Sequence, residues 1–137
     1  MKPPVLCARE TITVGEEAAV QAPAETPPNS VVFEDNGKTG YLYALDNSIK
    51  ANPIVDAMMI YDVAQITDKH LPCKLEVVWS GDGLVAVLFL NRHPHAAFDF
   101  GERRGYCRTG YPPPDQRWPT SPDHTWDDAV LQKLGLP

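Results

Sequence analysis

The sequence has no CxxC pair. Its three cysteines, Cys7, Cys73 and Cys107, are odd in number and far apart, which excludes a disulfide framework and a zinc knuckle, whose ligands come in close pairs. Long apolar runs are missing too. The longest, LVAVLFL from Leu84 to Leu90, is far short of the roughly 20 residues a membrane helix needs. The opening MKPPVLCARETITV has one lysine, then two prolines, and lacks the apolar centre of a secretory signal. Basic charge is scarce: 12 Lys and Arg stand against 18 Asp and Glu, for a net charge of −6. Gripping nucleic acid takes clustered Lys and Arg, so no nucleic-acid partner is expected. The turn GERRG lacks the GKS or GKT end of a phosphate loop, and FEDNG, ALDN and GDG lack the spaced ligands of a calcium loop. No cofactor and no membrane partner are expected, and a reducing cytoplasm is the expected compartment.

What is plentiful is proline, 14 in 137 residues, mostly in the first 30 or after Pro112. The length suits one domain, 1–137, able to bury a core without a metal or disulfide. Residues 1–30 read as a Pro-rich lead-in with one or two edge strands around Gly15, in which PAETPPNS is a linker. Residues 31–111 read as the strand body, 112–122 as a Pro-rich loop and 123–135 as a helix.

Within the body, VVFEDNGKTGYLYALD predicts a hairpin turning at Asn36-Gly37, a pair that tolerates positive φ. A strand is predicted from about Ala57 to Val63 after a turn at Asn52-Pro53. KLEVVWSGDGLVAVLFLN predicts the clearest hairpin, turning at Asp82-Gly83. Its second arm is apolar on both faces, the mark of a central strand. Trp79, Met58 and Met59 read as core. AAFDFGERRGYCRT predicts a third hairpin with the loop Gly101–Gly105, so that Asp99 faces Cys107. At the C-terminal end, Asp123 or Thr125 is expected to cap a helix with Asp127 and Asp128 in its first turn, Trp126, Val130 and Leu134 on one side, and Gly135 ending it. The predicted fold class is α+β with β dominant: an antiparallel meander of six to eight strands, a sandwich or partly open barrel, with a short C-terminal helix.

Three chemistries present themselves between His93 and Pro114. His93 and His95 share a strand face at roughly 6.6 Å, able to chelate a metal if Asp99, Cys107 or His124 adds a ligand. A Cys107–His95–Asp99 nucleophile fails on distance: His95 and Asp99 lie about 13 Å apart along one strand, beyond a hydrogen bond. Arg103, Arg104 and Arg108 surround a tight turn, where guanidinium forks grip carboxylates or phosphates. Tyr106, Tyr111 and Trp118 add the aromatic content that interfaces favour. Residues 92–117 hold five arginines against Asp99, Glu102 and Asp115, while residues 1–37 hold six acids against Lys2 and Arg9. An acidic surface of that kind suits a basic protein partner.

VVFEDNGKTGYLYALD, VVWSGDGLVAVLFLN, PHAAFDFGERRGYCRTGYPPP and HTWDD, taken in order, resemble a small bacterial family of unknown function over about Val31 to Asp128. The resemblance implies a bacterial, single-domain, cytoplasmic protein and brings no catalytic residues with it. Small acidic β-rich proteins of this style also resemble bacterial immunity proteins that neutralise toxins. The expectation is a non-enzymatic binding protein, an immunity protein blocking a toxin, with Arg103, Arg104, Tyr106, Arg108 and Tyr111 at the partner surface. The alternatives are a small metal-dependent or Cys/His hydrolase at His93, His95, Asp99 and Cys107, and a ligand-binding β-barrel or homodimeric scaffold.

Overall fold

Alternation of apolar and polar residues builds the strands, and a second face decides where each strand sits. The computed structural model describes residues 3–68, 70–114, 117–118 and 123–135. Among them are nine strands: β1 (Val5–Thr13), β2 (Ala18–Pro23), β3 (Asn29–Asp35), β4 (Thr39–Asp46), β5 (Ile54–Asp62), β6 (Pro72–Trp79), β7 (Val85–Leu90), β8 (His93–Asp99) and β9 (Arg104–Cys107). They form two antiparallel sheets, ordered β1-β6-β7-β8-β9 and β2-β3-β4-β5. The fold is β-dominated and open, as its sequence predicts, with one strand more than the upper end of the expected count.

Each sheet is a run of hairpins. At the β3–β4 turn the Asn36 carboxamide accepts hydrogen bonds from the Lys38 and Thr39 amides, at 2.9 and 3.0 Å, and Gly37 supplies a φ of 93° that a residue with a Cβ rarely adopts. The inner faces meet in one core built on Phe33, Leu42, Met58, Leu75, Trp79 and Phe98, all excluded from solvent. The Trp79 indole Nε1 crosses between the sheets to donate to the Ala22 carbonyl at 3.0 Å.

The lead-in segment is part of this sandwich. β1 pairs with β6 and β2 with β3, each at the edge of its own sheet, and Val20, Ala22 and Ala24 are buried in the core. The sequence PAETPPNS, expected to be a linker, is the bend of the β2–β3 hairpin, whose last pair is Pro23 with Ser30. Both prolines of its tip lie where no ladder donor is needed.

β7 lies at the centre of the five-stranded sheet, as its two apolar faces require. Its outer residues Val85 and Val87 join Ala97 and Tyr106 beneath Val130 and Leu134 of the C-terminal segment. That segment forms a helix shorter than the expected 123–135. Asp128–Leu134 is a seven-residue 3-10 helix, capped by Asp127, whose carboxylate accepts from the Ala129 amide at 2.9 Å, and ended by Gly135. So short a helix gains little from its own hydrogen bonds and takes the pitch that lets Val130 and Leu134 reach the sheet. Asp123, expected among the caps, instead accepts from the Thr125 amide at 2.9 Å. The 112–122 loop lies partly outside the described residues.

Candidate functional site

The β8–β9 hairpin turns more tightly than GERRG suggests. Asp99 pairs with Arg104, Phe98 with Gly105, Ala97 with Tyr106 and Ala96 with Cys107, so the expected facing of Asp99 and Cys107 does not occur. Arg103 takes the turn with a φ of 57°, which shortens the loop and shifts the register.

Alternation along β9 then sends Arg104 and Tyr106 to the outer face and Cys107 to the core. The Arg104 Nη2 donates to Asp123 at 3.1 Å, and its guanidinium lies 4.8 Å from the centre of the Tyr106 ring. Arg108 donates through Nε to the Pro94 carbonyl at 2.9 Å and stacks 4.5 Å from the Trp126 ring centre. Tyr106 is buried, 7% exposed, and Trp118 is buried at 5% against Phe98 and Phe100. Of the three aromatics singled out in the sequence, Tyr111 is the exposed one, at 53%. Arg104, Tyr106 and Arg108 are thus held by the protein's own C-terminal segment. Arg103 lies exposed at the hairpin tip, and Tyr111 belongs to a different surface.

The residues of the hydrolase alternative go separate ways. The His93 and His95 rings meet edge to face, 5.2 Å apart. Asp99 binds the Lys133 ammonium at 2.5 Å and the Glu102 amide at 3.0 Å. The Cys107 thiol donates to the Met59 carbonyl at 3.2 Å inside the core. Among the described residues, no three His, Cys, Asp or Glu side chains gather in a way that could hold a metal ion. Burial also pushes the Cys7 and Cys73 thiols up, away from the reactive thiolate.

Two buried polar clusters escaped the sequence reading. In one, His124 and Asp56 meet through Nε2 and Oδ2 at 2.8 Å, while Nδ1 lies 2.5 Å from the Pro112 carbonyl. A carbonyl only accepts, so Nδ1 carries a proton, and the doubly protonated ring satisfies both partners. Burial opposes that charge, but the Asp56 hydrogen bond and charge outweigh it and hold His124 above the usual histidine value. In the other, Asp35 accepts from Tyr61 Oη at 2.6 Å and from the Gly15 and Gly37 amides at 2.8 Å each. Neither has a local motif, since the partners are 68 and 26 residues apart.

The His124 cluster closes one side of the sandwich. The Cys107 amide donates to the His124 carbonyl at 2.8 Å, beside a parallel bridge to Thr125 that covers the β9 edge. The β5 edge is covered in turn: the Met59 amide donates to the Tyr111 carbonyl at 2.7 Å, the Thr109 hydroxyl donates to the Met59 carbonyl at 2.6 Å, and Arg117 donates to the Ile54 carbonyl.

The outer face of the four-stranded sheet has no such cover among the described residues. Tyr41 and Tyr43 stack on it with ring centres 5.8 Å apart. Register places Glu34 beside Tyr41 and Val32 beside Tyr43, with Ala57 and Met59 on the far side. Val32, Glu34, Tyr43, Leu45 and Ile54 enclose a shallow depression of about 340 Å³. Tyr111 stands close enough to Tyr41 to raise its pKa, after burial the next cause. The strands β2 to β5 contain Glu34, Asp35, Asp46, Asp56 and Asp62 and no lysine or arginine. Asp35 and Asp56 are buried, which leaves Glu34, Asp46 and Asp62 to charge the surface.

A family profile described as an uncharacterized protein conserved in bacteria (DUF2251) matches residues 12–135. A Haemophilus influenzae relative, described as an uncharacterized protein, is 48% identical over 86 residues, covering 63% of this chain and 53% of the relative. The chain thus matches about half the length of that curated relative. No solved structure matches.

Proposed function

The chain belongs to the bacterial family DUF2251, and we propose that it is a non-enzymatic module that binds a basic protein through the outer face of its four-stranded sheet. One observation carries this reading: an aromatic sheet face without cover among the described residues, on strands that contain no lysine or arginine, in a molecule whose other sheet is covered by its own C-terminal segment. Tyrosine supplies large contact area at small entropic cost and is enriched in interface centres. Glu34, which register places beside Tyr41 on this face, favours a partner with lysine or arginine beside an apolar knob.

The specific form we propose is an immunity protein acting in the cytoplasm, its partner a toxin domain. A toxin that holds phosphates must be basic around its active site, which matches the charge of this face. A stable block needs roughly 1,200–2,000 Å² of buried surface, so the contact extends beyond Tyr43 to Tyr41 and Tyr111.

The test immobilises the full chain, captures partners from a bacterial extract and identifies them by mass spectrometry. Variants Tyr43→Ala with Ile54→Asp, and separately Arg103→Ala with Arg108→Ala, locate the contact. One stoichiometric partner lost in the first variant and kept in the second is expected, with the partner's own activity inhibited on binding. Loss only in the arginine variant would move the contact to the hairpin tip, and capture surviving both would overturn the reading.

A further inference from the structure

We infer that the open end of the sandwich, where β1 passes into β2, is a binding site for a small uncharged molecule with a compact apolar body and one hydrogen-bonding group. This site is separate from the outer sheet face proposed above. A cleft of about 350 Å³ enters there between the two sheets, within the roughly 300–1,000 Å³ of small-ligand pockets. Its walls come from both sheets: Ile60 from β5, Cys73 from β6, Leu90 from β7 and His95 from β8, with Val14 and Ile66 closing the sides.

Two polar side chains face this cleft without hydrogen-bond partners among the described residues. His95 is half-buried, and neither of its ring nitrogens has a hydrogen-bond partner among the described residues. A bulge in the β7–β8 pairing, between Leu88 and Phe89, brings it there. The strand reaches Ala96 in the core one residue later. Cys73 is buried at 8% exposure, with its thiol also unpartnered among the described residues. Burial together with His93 and Arg108 keeps the His95 ring neutral, so it offers one donor and one acceptor.

The lining sets the chemical class. No lysine or arginine is among the described lining residues, and the carboxylate present, Asp68, repels an anion. The floor is braced by Asp35, which ties Tyr61 of the cleft wall to the Gly15 and Gly37 amides. The cleft is therefore preformed rather than dependent on a ligand to order it. A second hollow, beside Ser80, has Asp82 and Lys133 among its described lining residues, so charge of both signs faces it.

The experiment is a nitrogen–proton NMR titration of the full chain with cyclohexanol, and in parallel with cyclohexanecarboxylate. Cyclohexanol is expected to shift the amides of Cys73, Leu90 and His95 saturably, with the carboxylate at least tenfold weaker. His95→Phe keeps the ring volume and is expected to weaken cyclohexanol about tenfold. Leu71→Trp, at an exposed residue of the mouth, is expected to block both and leave the remaining spectrum in place. Absence of saturable shifts in these amides, or equal binding of the carboxylate, would overturn the inference.

Discussion

Asp56 and His124 are joined at 2.8 Å with almost no solvent access, 3% and 0% for the two side chains. One lies on β5 and the other on the C-terminal segment, so this contact ties the covering of the five-stranded sheet to the opposite sheet. Removing one partner leaves the other buried and unsatisfied. Asp56→Ala and His124→Ala are each expected to cost about 3–5 kcal/mol by urea denaturation. Hydrogen exchange at the Cys107 amide, which donates to His124, should accelerate in both.

The two histidines of the structured interior are expected to titrate on opposite sides of 6.5. His95 is pushed down to about 4, by burial first and then by His93 and Arg108. Below 6.5 the unfolded chain takes up a proton that folded His95 refuses, so that residue drains stability as pH falls toward 4. His124 has the reverse sign. Its raised value contributes stability fully present below 6.5 and lost as pH rises through the folded value. His95→Phe should flatten the acid limb of the stability profile. His124→Gln should cost more at about pH 5.5 than at about pH 8.5, and imidazole NMR titration assigns each value directly.

Two glycines are required by close approach. A Cβ on Gly40 would lie 2.6 Å from the Tyr61 ring, and one on Gly105 would lie 2.8 Å from the Met58 sulfur and 2.9 Å from Asp56 Oδ2. Overpacking of this kind costs roughly 1–3 kcal/mol. Gly40→Ala is expected to lose much of its penalty in a Tyr61→Leu background, a coupling that a double-mutant cycle measures. Gly105→Ala should also displace Asp56 and lower the His124 value.

Trp79→Phe is expected to destabilise by about 1–3 kcal/mol, because the Ala22 carbonyl loses a buried donor that crosses between the sheets. Calorimetry of the two proteins decides it. A change within a few tenths of a kcal/mol would mean that the crossing bond contributes nothing.

The hairpins were legible because their signals are local. Asn36-Gly37 and Asp82-Gly83 sit between β-rich arms, and both mark turns in the structure. The β7–β8 turn was not legible: Asn91 and Arg92 take φ values of 51° and 66° with no glycine to announce them. The Asp99–Cys107 facing failed for the same reason, since Arg103 turned where a glycine-flanked five-residue loop was expected.

For the sites, residue type did not give the partners. Arg104 and Arg108 were singled out for binding, yet each stacks on an aromatic ring of its own chain. Tyr41 and Tyr43 read as one arm of a hairpin. Their place on an outer face follows from which sheet received the covering segment. His124 could be suspected only as a distant metal ligand, because nothing near it in the chain contains Asp56.

By itself the sequence determined the strands, most turns and the β-dominated class, because pleat alternation and turn preference act over a few residues. Only the tertiary structure decided that β1 and β2 belong to different sheets, that the C-terminal segment covers one outer face while Tyr41 and Tyr43 stack half-buried on the other, and that His95 borders a cleft. Those outcomes depend on packing between segments far apart in the chain, and the energy of burial is shared by surfaces that meet only after folding.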